Sequence, residues 1–135
     1  MLAVVLPNTG AMNEIAIPDA GTAGVLVAGP DGAVWFVNSR TAATAITRIN
    51  ADGTLTDLPF PSGRGPIAMA SGPDGNLWIV EHDANAIARL SITTGAISEF
   101  TIPTPASDPN GITAGPDGNL WFTEGHVNQI GRLTP

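Results

Sequence analysis

Two histidines, His82 and His126, and a short set of carboxylates are the side chains of this chain best suited to chemistry. Glu81 and Glu124 stand 43 positions apart, each just before one of the histidines, and Asp108 precedes the second pair. Carboxylate oxygens suit a hard divalent cation, and an imidazole can move a proton near neutral pH. Glu81 reads as a polar residue that belongs to a repeat, while Glu124 stays open between that role and a ligand. His82 and His126 read as solvated residues of hairpin connections, since a joint metal role would need both to face one axis. Arg64, a basic residue in a linker, hints at an anionic ligand. There is no cysteine, which excludes disulfides and thiolate metal sites.

What positions these residues is a repeat. Gly-Pro-Asp-Gly begins at Gly29, Gly72 and Gly115, a step of 43 both times (72 − 29 and 115 − 72), and Trp35, Trp78 and Trp121 follow at one offset. A period in the forties, filled with short strands, fits propeller blades of four antiparallel strands. In the last copy an apolar run at 111–114 leads into the turn. A second strand follows at 119–124 and a third at 129–133. The fourth is visible one copy earlier, at 96–102, where Ile97 and Ile102 have opposite parity; a bulge or burial on both faces would explain that. Asp31, Asp74 and Asp117 read as turn acceptors, because Asp-Gly is a strong hairpin signal. The three tryptophans read as packing between blades. Arg48, Arg89 and Arg132 recur in each third strand and are expected to pair with a neighbouring blade's carboxylate. No helical period appears, so the fold class is all-β.

The chain therefore reads as one partial propeller domain over 1–135. Residues 24–61 form a first blade, 66–103 a second, and 111–135 a third that lacks its last strand. Residues 14–18 mirror 99–103 at an offset of 85, so 1–18 supplies one or two strands that complete another blade. Propellers close with typically 4–8 blades. The expectation is a homodimer closing a six-bladed ring, with 11–18 of each copy finishing the other's last blade; otherwise the chain is a fragment of a longer propeller.

Formal charge is −7, and the only basic residues besides histidine are five scattered arginines. That argues against nucleic-acid and anionic-membrane partners, which need clustered positive charge. The apolar stretch 2–6 is too short for a secretory signal or a span, which makes a cytoplasmic location the default expectation.

Residues 99–104 (Glu-Phe-Thr-Ile-Pro-Thr), Gly111-Ile112, 115–124 (Gly-Pro-Asp-Gly-Asn-Leu-Trp-Phe-Thr-Glu) and 128–132 (Asn-Gln-Ile-Gly-Arg) resemble the repeat of the virginiamycin B lyase family. The likeness combines turn, strand and linker residues in one order over nearly the whole chain. It implies a seven-bladed propeller that linearises cyclic streptogramin B antibiotics by elimination, with a divalent metal, usually Mg²⁺. It also implies a catalytic His just before the Gly-Ile of a blade, a carboxylate two residues before that His, and another carboxylate closing the Trp-Phe-Thr-Glu strand.

Carried onto the last unit, the carboxylates fall at Asp108 and Glu124, the implied metal ligands, and the base position falls at Asn110. A carboxamide has no group that titrates near neutrality. Neither linker into the earlier blades carries a His. The resulting expectation is a non-catalytic binding or assembly scaffold derived from the lyase propeller, with a small cyclic peptide as a possible ligand. The alternative is an active carbon–oxygen lyase, or a C-terminal segment of a longer antibiotic-inactivating one.

Overall fold

A computed structural model of the chain describes residues 2–5, 12–18, 21–40, 43–61 and 63–135. Parts of the expected segment 1–18, residues 19 and 20 of the first linker and residue 62 of the second lie outside the described residues. Every regular element described is a strand: β1 (Leu2–Val5), β2 (Met12–Ile15), β3 (Thr22–Ala28), β4 (Val34–Ser39), β5 (Thr44–Ile49), β6 (Leu55–Phe60), β7 (Pro66–Ser71), β8 (Leu77–Glu81), β9 (Ala86–Leu90), β10 (Ile97–Thr101), β11 (Pro109–Ala114), β12 (Leu120–Glu124) and β13 (Gln129–Leu133). They form antiparallel meanders: β1-β2, β3-β4-β5-β6, β7-β8-β9-β10 and β11-β12-β13.

The Gly-Pro-Asp-Gly turns do more than reverse the chain. Gly32, Gly75 and Gly118 take φ of 76°, 75° and 77°, a conformation that costs glycine nothing. Asp31, Asp74 and Asp117 each accept the indole N–H of the following Trp, at 2.9, 3.0 and 3.1 Å. The same carboxylate oxygens accept a backbone N–H two residues on. A Cβ on Gly29, Gly72 or Gly115 would collide with that indole. One tetrapeptide thus sets both the turn and the orientation of the largest side chain in the blade.

Strand alternation then sends side chains to opposite faces. Trp35, Val37, Ile46 and Phe60 pack against Met69, Leu77, Ile79, Ala88 and Leu90 of the next sheet. Ala70, Trp78, Val80, Ile87 and Ile102 pack against Leu120 and Phe122. The middle sheet is covered on both sides, and every residue of β8 is buried. Ile97 packs on the first cluster and Ile102 in the second. Burial on both faces explains their opposite parity. The register breaks fall in the first strands instead, between Ala23 and Leu26, Pro66 and Ala68, and Pro109 and Ile112. Each large apolar side chain buried this way contributes about 1.5–3 kcal/mol. In the N-terminal hairpin, β2 has β1 of its own chain as antiparallel neighbour, with Leu2 opposite Ile15 and Val5 opposite Met12.

Candidate functional site

The linkers into the second and third blades each run beside the hairpin that follows that blade's second strand. The His82 and Asp83 N–H groups donate to the Gly65 and Arg64 carbonyls at 3.0 and 3.1 Å; those of Gly125 and His126 donate to Asp108 and Ser107 at 3.0 and 3.1 Å. The linkers share a backbone shape. Gly63 and Gly65 have φ of 72° and 59°, and the equivalent Ala106 and Asp108 have 48° and 54°. Left-handed backbone costs a residue with a Cβ about 1–2 kcal/mol, so the third linker is strained where the second is not. Asn85, in the preceding hairpin, holds it in place. Its Oδ1 accepts from the Ser107 N–H and hydroxyl at 2.8 Å each, and its Nδ2 donates to the Thr104 carbonyl at 2.9 Å.

That clamp brings Asp108 against His82, two residues the sequence reading had kept apart. The His82 Nε2 lies 2.5 Å from Asp108 Oδ1, and its Nδ1 lies 3.1 Å from Asp83 Oδ1. Carboxylates only accept when ionised, so a ring facing one on each nitrogen is favoured in its protonated form, which can donate to both. The bond to Asp83 and then the bond to Asp108 push the His82 pKa up. The His82 bond, followed by that from Asn110, holds the Asp108 carboxyl below its ordinary value. The Asn110 Nδ2 donates to the Asp108 carbonyl at 2.7 Å and to its Oδ2 at 3.3 Å. A shallow cavity of about 250 Å³ is lined by His82, Asp83, Asn85, Ala106 and Asp108.

Glu124 closes β12 and is buried, with Oε2 lacking a hydrogen-bond partner. Glu81, its equivalent in β8, is completely buried and neither carboxylate oxygen has a partner; Asn38, the third equivalent, is buried with both amide atoms unpartnered. Burial first, and then the negative charge of Glu99, push the Glu81 pKa up to about 7, against the opposing pull of Arg64. Arg64 itself bridges Glu99 at 3.0 Å, so its guanidinium is engaged within its own sheet. The arginines of the third strands also differ from expectation. The Arg48 Nε pairs with Asp31 of the same blade at 2.7 Å, and the Arg132 guanidinium lies 5.8 Å from the Trp121 ring centroid. The register that puts Trp35 opposite Arg48 and Trp121 opposite Arg132 makes the nearer partner intra-blade.

Both Asp108 oxygens accept hydrogen bonds, the buried Glu124 Oε2 accepts none, and no three His, Asp or Glu side chains among the described residues converge on a common point. Among the described residues no helix is long and apolar enough to cross a membrane.

Four-stranded antiparallel meanders stacked face to face, with linkers and second hairpins meeting along one rim, are blades of a β-propeller. This chain belongs to the virginiamycin B lyase family, whose pattern it matches over residues 5–135. The crystal structure of virginiamycin B lyase from Staphylococcus aureus superposes with a TM-score of 0.85 at 37% identity, covering 98% of this chain and 45% of that one. A catalytically inactive variant of the S. aureus enzyme with quinupristin gives 0.83 at 39%, covering 96% and 44%. A streptogramin B lyase structure gives 0.76 at 34%, covering 95% and 46%. The chain thus spans less than half the length of these enzymes. No curated protein sequence matches it.

Proposed function

We propose that this chain is a propeller module of the lyase family that binds and assembles without cleaving. Asn110 carries the reading. It occupies the position where the family resemblance expects the base, yet its amide donates to Asp108 and a carboxamide has no group that titrates near neutrality. The neighbouring His82 has a carboxylate against each ring nitrogen, which favours its protonated form and opposes its acting as a base. The ligand class follows from the quinupristin complex of the S. aureus enzyme: a cyclic peptide of the streptogramin B type.

The test pairs an assay for linearised streptogramin B in the presence of Mg²⁺ with calorimetry against quinupristin and against Mg²⁺, Mn²⁺ and Ca²⁺ alone. The expected result is quinupristin binding without linear product and without measurable cation binding. Turnover by the wild-type chain overturns the reading. Asn110→His restores an imidazole beside Asp108 and is expected to raise any residual activity; no gain would mean that the mapped site is misplaced.

A second reading, an active lyase, is favoured by one contact, the 2.5 Å approach of His82 to Asp108. A base held as an imidazolium must first lose a proton. On this reading activity rises with pH and disappears in His82→Ala.

A further inference from the structure

We propose that Arg64 is the arm of a proton-driven switch at the junction of the first two sheets: its guanidinium rests on Glu99 while Glu81 holds a proton, and swings onto Glu81 when that proton leaves for solvent. The two carboxylates share one face of the second sheet. Glu81 stands opposite Ala86 and Glu99 opposite Ala88 in the antiparallel register, so both project over β9 on the face that carries Ile79 and Ile97 toward the first sheet. Ala86 and Ala88 are too small to keep them apart. Glu81 is completely buried and both of its oxygens lack partners. Its cross-strand neighbours, Pro66 and Ala86, bring no side-chain donor. Glu99 is a third exposed and already has its partner in Arg64, at 3.0 Å.

Two charged groups act on Glu81. Glu99 on β10 opposes its ionisation, and Arg64 in the linker favours it. From the first sheet the packed face is the apolar set Trp35, Val37, Ile46 and Phe60, and no charged group of that sheet acts on Glu81. An ionised carboxylate in such a place needs a counter-charge, and the guanidinium supplies it: its planar fork of donors fits a carboxylate and keeps its own charge at every pH of interest. The linker permits the swing. Arg64 sits between Gly63 and Gly65, with φ of 72° and 59°, where backbone torsions change at little cost. Its equivalent in the third linker, Ser107, is instead clamped by Asn85. The Arg64 and Gly65 carbonyls accept the Asp83 and His82 N–H groups, so a swing of the arm is felt by the hairpin at the rim.

The experiment follows the Arg64 Nε–H resonance and the Glu81 and Glu99 carboxyl carbons by NMR on the full chain, from about pH 5 to about pH 9. The expected result is one inflection at about 7 shared by Glu81 and Arg64, with the Glu99 carbon shifting as it loses its partner. Glu81→Gln keeps the shape of the side chain and removes its charge, so Arg64 should stay on Glu99 and its resonance should lose that inflection. Glu99→Gln removes the charge that opposes ionisation and should move the Glu81 inflection to lower pH; Arg64→Gln removes the charge that favours it and should move it up. Should Arg64→Gln lose its dispersed spectrum, the other two variants decide. A Glu81 carboxyl that titrates while Arg64 stays flat overturns the proposal, as does a Glu81 that never titrates in this range. An Arg64 inflection that survives in Glu81→Gln also overturns it, since that inflection would report the neighbouring His82.

Discussion

Replacing Glu81 by Gln tests how the first and second sheets meet. Glu81 is fully buried, its carboxylate oxygens lack partners, and its pKa stands at about 7 against an ordinary 4.5. The groups that face it are Glu99 on β10, which raises the value, and Arg64 in the linker, which lowers it. Because the folded protein holds this proton more tightly than the unfolded chain, stability falls as pH rises from about 4.5 to about 7. At about 1.4 kcal/mol per pH unit, the full loss is about 3 kcal/mol by pH 8. Gln has nearly the same shape and carries no charge at any pH, so it removes this slope. Urea unfolding at pH 5 and pH 8 measures it. At pH 8 the variant should be up to about 3 kcal/mol more stable than wild type, and at pH 5 nearly equal to it. Parallel pH dependences for the two proteins would refute the assignment of a buried, proton-holding Glu81.

Two further outcomes are expected. Gly131→Ala sets a methyl group into the Phe122 ring, and overpacking of this kind costs about 1–3 kcal/mol, measurable as a lower urea midpoint with little change in slope. The His82 imidazole, followed by NMR, should titrate higher in wild type than in Asp83→Asn or Asp108→Asn. Its stabilising contribution is complete below the unfolded-state pKa and disappears as pH rises through the folded one.

Much of this molecule can be read along the chain. The 43-residue step places the three Gly-Pro-Asp-Gly turns, the alternation within strands assigns Trp78 to one face and Ile79 to the other, and Pro103 marks the end of a fourth strand. These are local properties, governed by the two-residue pleat and by the φ preferences of Gly and Pro. The same local rules named Asp31, Asp74 and Asp117 as turn acceptors but could not reveal that each also holds an indole. A Trp four residues on comes within reach only once the hairpin has closed.

The candidate site is less legible. The family resemblance marks Asp108, Asn110 and Glu124, and the structure adds that Asp108 and Asn110 bond to one another. It also adds His82, which linear reading had assigned to solvent. Asp108 and His82 are 26 residues apart in different blades, and no periodicity within one blade encodes the path of the linker between them. Glu81 closes its strand as Glu124 does, and only the packed sheets show that burial raises the Glu81 pKa.

By itself, then, the sequence determined the all-β class, the antiparallel four-strand repeat and the absence of an imidazole at position 110. The tertiary structure decided which side chains touch across blades, which carboxylates lose their water, and which of three equivalent tryptophans is left uncovered. The physical reason is range. Hairpins and pleats follow from neighbours a few bonds away, whereas desolvation and inter-blade contact depend on surfaces that meet only after every sheet has formed.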